Sequence, residues 1–258
     1  MKGLIPALYS AFIYVLFLVT FLYTIGFVEG VVVPKTIDSG EAGGLWASLA
    51  VDTVLLGIFA VQHSLMARPG FKRVWTKLVP EVSERSTYVL FASAALALLL
   101  WQWRPLPAPI WTIEDPLWAG MVLGLSWTGW GVVLLSTFLI SHFHLFGLSQ
   151  GFARLFRLQA PKSDFTTPLF YKWIRHPLYL GFLMAFWAAP RMSLGHLFFA
   201  IATTGYILIG IWFEERDLVG QFGERYIRYR GEAGMLFPRL PSARKPDAVS
   251  VTQVRRPS

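Results

Sequence analysis

The chain has no cysteine in its 258 residues. That excludes disulfides, thiolate metal sites and a cysteine nucleophile, and says nothing about redox compartment. Charge is scarce too: 15% of residues are Asp, Glu, Lys or Arg, where a soluble domain carries about 25%. Neither a G-x-G-x-x-G fingerprint nor a P-loop occurs, which excludes a Rossmann-type cofactor domain. There is no internal repeat and no polar stretch long enough for a large soluble domain. Any catalytic site must therefore be assembled from helix ends and the loops between them.

Apolar sequence is what the chain has in abundance. It is 55% hydrophobic, with a mean hydropathy of +0.51. Apolar segments run over 4–28, 45–66, 87–103, 117–140, 178–189 and 194–213, and a membrane span needs roughly 20 such residues. The pattern predicts an all-α integral membrane protein. Four spans precede a C-terminal helical hairpin, giving five to six transmembrane segments, and a cytoplasmic C-terminal helix follows. The first segment is too long for a signal peptide and lacks a small-x-small cleavage site, so it is expected to stay as a span. The fifth segment is short. It reaches spanning length if it starts at Thr167-Pro168, an N-cap and N1 pair. Pro177 would then lie inside the helix, free the carbonyl of Trp173 and kink the helix beside His176. Pro190-Arg191-Met192-Ser193 is expected to close the hairpin. Residues 1–241 read as one membrane domain and 242–258 as a disordered tail.

Of the 23 Lys and Arg residues, all but Lys35, Arg104 and Arg191 fall on one side of this topology. The positive-inside rule then places both termini in the cytoplasm, with the inner membrane as the location. The net charge of +8 follows from topology and attraction to anionic lipid. Membrane lipid is an expected partner and nucleic acid is not.

A few polar residues stand out against this background. Ile211, Glu215, Leu218, Phe222, Tyr226 and Tyr229 fall in one helical stripe about 60° wide. A carboxylate in that face must be paired or bind a cation. Either an ion pair with a loop arginine or ligand binding would satisfy it. His176 sits between Arg175 and Pro177, one turn before Tyr179, and Gly181 permits close approach of a backbone or a ligand. Asp52 and His63 share a face of the second span but lie about 16 Å apart along it. Asp52 suits a helix-packing hydrogen bond. His142 and His144 are two residues apart and cannot share a helix face. No second ligand set accompanies them, so no metal is expected.

Two patterns together resemble the isoprenylcysteine carboxyl methyltransferase superfamily. One is Arg175-His176-Pro177-x-Tyr179-x-Gly181. The other is Glu214-Glu215-x-x-Leu218-x-x-x-Phe222-Gly223-x-x-Tyr226-x-x-Tyr229, and Phe237-Pro238-Arg239-Leu240-Pro241 also fits. The N-terminal half adds Gln62-His63-Ser64-x-Met66-Ala67-Arg68, Phe71-Lys72-Arg73, Glu84-Arg85-Ser86-Thr87-Tyr88 and His142-Phe143-x-Leu145-Phe146-Gly147-Leu148-x-Gln150. These resemble a bacterial branch holding methanethiol S-methyltransferases and NnrU-like proteins.

The resemblance implies an S-adenosylmethionine-dependent methyltransferase that converts a small thiol, methanethiol, to dimethyl sulfide at the cytoplasmic face. His176 and Tyr179 would contact the cofactor, with Pro177 and Gly181 shaping the turn. Glu214 and Glu215 would face its amino or ribose groups, and Phe146, Gly147 and Gln150 would form the adjoining wall. His63 and His142 are the candidate bases, with Arg68 or Arg85 to stabilise a thiolate. The alternatives are a lipid or prenylated thiol acceptor, a nicotinamide-dependent reductase, and a non-enzymatic membrane factor in nitrogen-oxide metabolism.

Overall fold

A computed structural model describes residues 3–41, 43–156 and 165–239. The expected disordered tail, 242–258, lies outside these residues, as do Leu240 and Pro241. The described chain is mainly helical. Helices α1 (Leu4–Glu29), α2 (Leu45–Ala67), α3 (Pro69–Trp75) and α4 (Glu81–Gln102) are followed by strand β1 (Pro109–Thr112). Then come α5 (Pro116–Ile140), α6 (His142–Leu145), α7 (Leu148–Phe156), a 3₁₀ turn at Leu169–Lys172, α8 (Pro177–Trp187), β2 (Arg191–Ser193), α9 (Leu194–Phe222) and α10 (Glu224–Glu232).

The ends of these helices follow from local chemistry. Gly30 closes α1 in the left-handed region at φ 70°, where a side chain would be strained. Asp115 caps α5 by accepting from the amides of Leu117 and Trp118, and Pro116 takes the first helical position. Ser193 caps α9 through the amide of His196. Four helices are long and apolar enough to cross a membrane: α1, α2, α5 and α9. The expected third span is α4, whose first turn carries Glu81 and Glu84, and α8 is a shorter apolar helix.

Two expectations need correction. The helix before the hairpin does not begin at Thr167-Pro168. Residues 165–168 have no helical structure, and Pro177 is the first residue of α8 rather than a kink within it. A proline fixes φ and lacks a donor, which costs nothing at N1. The Trp173 carbonyl is accordingly not a freed helix acceptor, and the amide of Gly234 donates to it at 2.9 Å. Nor is the chain wholly helical: β1 and β2 pair antiparallel. Pro105, Pro107 and Pro109 keep the segment before β1 extended, and its carbonyls accept from Leu194 and Gly195 at the start of α9. The hairpin turn at 190–193 is thus tied to the loop ahead of α5.

Helices associate here through small residues and hydroxyls, the usual means where lipid removes the hydrophobic drive between them. Ser86 donates to Ser10 at 2.9 Å, and Tyr9 meets Thr87 at 3.0 Å. Asp52 is fully buried and accepts from the Arg104 amide at 2.9 Å, the packing role suggested by its position. That bond lies at the end of the bundle carrying β1 and β2. The first residues of α4 and α8 and the last of α2 and α9 lie at the other end.

The closest approach is between α5 and α8. A Cβ on Gly129 would lie 2.6 Å from the Gly181 carbonyl oxygen, and one on Gly181 would lie 2.7 Å from that of Gly129. Gly181 therefore serves a helix crossing, the approach of a backbone that its position allowed. Gly129→Ala or Gly181→Ala should push the helices apart and cost about 1–3 kcal/mol, read as a lower melting midpoint in detergent. Gly131→Ala, where an added Cβ meets nothing within 4 Å, should leave the midpoint unchanged. Equal midpoints for all three would refute this account.

Candidate active site

The sequence motifs on either side of the hairpin meet in one cluster. Arg175 Nε donates to Glu215 Oε1 at 2.6 Å, and the ion pair is nearly dry, with side chains 8% and 14% exposed. His176, buried at the N-cap of α8, places Nε2 3.1 Å from the same oxygen. Its Nδ1 is 3.7 Å from Glu214 Oε2. The Tyr179 hydroxyl donates to Glu214 at 3.0 Å. One turn of α8 thus faces two adjacent carboxylates of α9.

The chain after α10 locks this arrangement. The amides of Arg175 and His176 donate to the carbonyls of Gly234 and Met235 at 2.8 and 3.1 Å, and Arg175 also reaches the carbonyls of Ala233 and Arg230. Gly234 has no room for a side chain beside the Phe237 carbonyl. Tyr226 is 1% exposed, and its hydroxyl has no partner among the described residues. Burial pushes its phenol up, with Glu215 adding to the effect, so it is a protonated donor near neutral pH.

A second cluster joins α2, α4 and α9. His63 stacks on Phe59 with centroids 5.3 Å apart. The Tyr88 hydroxyl lies 2.9 Å from His63 Nε2 and 3.1 Å from Nδ1, so it can engage one nitrogen and leave the other. Tyr206 meets His63 edge-on at 6.5 Å, and its hydroxyl is 3.2 Å from that of Ser64. Arg85 lies 4.8 Å over the Tyr88 ring and donates to the Leu145 carbonyl at 2.6 Å. Arg68 pairs with Asp217 at 3.0 Å and covers the Phe213 ring at 4.6 Å.

A third cluster surrounds His142. Thr137 spends its proton on the Leu134 carbonyl at 2.7 Å, so it accepts from His142 Nδ1 at 2.8 Å. That fixes the tautomer and leaves Nε2 to accept from the Tyr14 hydroxyl at 2.9 Å. The ring stacks on Phe138 at 4.3 Å, and burial holds its pKa down.

A protein named methanethiol S-methyltransferase from Mycobacterium tuberculosis is 52% identical over 92% of this chain and 98% of its own length. Another, methanethiol S-methyltransferase 1 of Bradyrhizobium diazoefficiens, is 53% identical over 91% of this chain and 82% of its own. The chain belongs to the methanethiol S-methyltransferase family. Membership of a methyltransferase family implies a methyl donor. A more distant relative, nurim of Mus musculus, is 31% identical over 70% of each chain. No family model matches the chain, and no solved structure does.

Among the residues singled out from sequence, His176, Tyr179, Glu214 and Glu215 come together, with Pro177 starting the helix that carries them. Among the described residues, Phe146, Gly147 and Gln150 have no contact with that cluster, and Phe146 packs beside Met66 and Tyr88 instead. Phe146 stacks on Phe17 at 3.9 Å, the Gly147 carbonyl accepts from Ser86 at 3.3 Å, and Gln150 donates to the His144 carbonyl at 3.0 Å. The first two contacts hold the α6–α7 corner against α1 and α4, and the third ties α7 to α6. Both His142 nitrogens have hydrogen-bond partners, whereas Tyr88 can engage only one nitrogen of His63 at a time. Arg68 and Arg85 are already committed to a carboxylate and a carbonyl. The sequence reading quoted Ser64 and Tyr88 in its motifs without giving them a role and missed Tyr206, although hydroxyls inside apolar helices were the available signal. It also left Arg175 in the motif without a role. Glu215→Ala should strand the Arg175 guanidinium and cost about 3–5 kcal/mol, at the low end because the carbonyl acceptors remain. Thermal melting in detergent checks this, and an unchanged midpoint would show that the pair does not hold the site together.

Proposed function

We propose that this protein methylates methanethiol to dimethyl sulfide with S-adenosylmethionine as donor, at the cytoplasmic face of the membrane, with both termini in the cytoplasm. The observation that carries this reading is identity near one half, over nearly the whole chain, to relatives named for that reaction. Orientation rests on the basic loops, which lie at the end of the bundle that carries both polar clusters.

The α8–α9 cluster fits such a donor chemically. Two adjacent carboxylates can accept from an ammonium group and ribose hydroxyls, and the unpartnered Tyr226 hydroxyl offers a buried donor. His176, Tyr179, Glu214 and Glu215 would hold it. When bound, S-adenosylmethionine supplies the electrophilic methyl that the thiol sulfur takes up. A thiol is mostly protonated at neutral pH and the thiolate is the nucleophile. His63 would take that proton on the ring nitrogen that Tyr88 leaves free, and Tyr88 would orient the ring. The apolar helices around it would admit a volatile thiol and keep water out.

Purified protein in detergent, given S-adenosylmethionine and methanethiol, should release dimethyl sulfide into the headspace. His63→Ala should lower turnover about 100-fold or more with donor affinity by calorimetry unchanged. Tyr179→Phe should instead weaken donor binding. Donor binding without product would move the acceptor to a lipid or prenylated thiol, and no donor binding would reject methyl transfer.

A further inference from the structure

We propose that a cleft on the outer face of α9 and α10 is a headgroup site for an anionic diacyl phospholipid. The cleft, about 280 Å³, is lined by Trp212, Glu215, Arg216, Val219 and Arg230. Both arginines are exposed. Arg216 lies 5.9 Å over the Trp212 ring. Arg230 reaches Glu215 Oε2 only at 3.9 Å. The Glu215 charge is already met by Arg175 and His176 on its other oxygen, so the cleft presents a surplus of positive charge. Glu214 projects from the opposite side of α9 and does not cancel it. Paired guanidiniums suit the oxygens of a phosphodiester.

The helix below the cleft argues for a lipid rather than a free anion. At 100° per residue, Ile201, Leu208, Ile209, Trp212, Arg216 and Val219 share a stripe about 100° wide. Ile201, Leu208, Ile209 and Trp212 are 54%, 45%, 57% and 58% exposed. Gly205, on the same stripe, has open space where a Cβ would stand. An apolar track for an acyl chain therefore leads to an aromatic ring at the interface and then to two cations, which matches a lipid from tail to phosphate. The site shares Glu215 with the residues proposed to hold the donor, but its lipid test does not rest on that reading. It touches that chemistry through Glu215, whose carboxylate faces both the cleft and His176.

The test is native mass spectrometry of the full chain from mixed micelles holding equal amounts of phosphatidylglycerol and phosphatidylcholine of matched chains. The wild type should retain one phosphatidylglycerol, favoured about 30-fold for two arginines. Arg216→Ala should cut that preference severalfold, while Arg216→Lys keeps part of it. Trp212→Ala leaves both arginines and should lower retention of both lipids alike, which keeps the proposal testable if Arg216→Ala does not fold. Equal retention of the two lipids by the wild type, or full preference in Arg216→Ala, would overturn it. Inorganic phosphate raising the melting midpoint as much as phosphatidylglycerol does would assign the cleft to a free anion and overturn the lipid assignment.

Discussion

A carboxylate on an apolar helical face is costly unless cations reach it, and Glu215 draws its cations from elsewhere in the chain. Arg175 and the His176 ring come from the start of α8 and converge on one of its oxygens. Meeting Glu215 fixes where α8 begins. It also places Tyr179 one turn on, against Glu214. Because Arg175 has donors left over, it takes up the carbonyls of Arg230 and Ala233, which brings the chain after α10 back under the site. Removing that one charge would leave a buried guanidinium held only by backbone carbonyls.

The remainder of the bundle serves to keep these groups still. Gly129 and Gly181 let α5 and α8 touch backbone to backbone, so α8 is held rigidly where it meets α9. On the other flank, the Ser64–Tyr206 and Arg68–Asp217 contacts fasten α2 to α9. In the proposed reaction these contacts would hold the His63 helix against the helix that carries the two carboxylates. Proximity of this kind supplies much of the rate in a two-substrate reaction.

Sequence revealed the membrane class, the helical segments and the importance of Glu215, because charge and periodicity speak directly to burial. Of the two explanations offered for that residue, the loop arginine is present as Arg175. The start of α8 was misread because Thr167-Pro168 and His176-Pro177 carry similar start signals. Only the pairing of 174–176 with 234–235 decides between them, and that contact is remote in sequence. The two strands were too short to register, and the first follows a run broken by Pro105 and Pro107. Phe146, Gly147 and Gln150 were assigned to the cofactor wall by motif alone, and a motif does not show that Phe146 packs on α1, Gly147 on α4 and Gln150 on α6. Tyr206 drew no attention in an apolar run, since its role depends on a hydroxyl from another helix.

The strap at 233–237 also has a consequence in time. A ribosome delivers α8 and α9 long before it delivers Gly234 and Met235, whose carbonyls receive the Arg175 and His176 amides. Until those residues emerge, the helix start carrying the histidine has two unmet donors and a mobile arginine. Those two amides therefore find their partners only after α9 and α10 have been made, and a chain that stops short of the strap would leave both of them unmet.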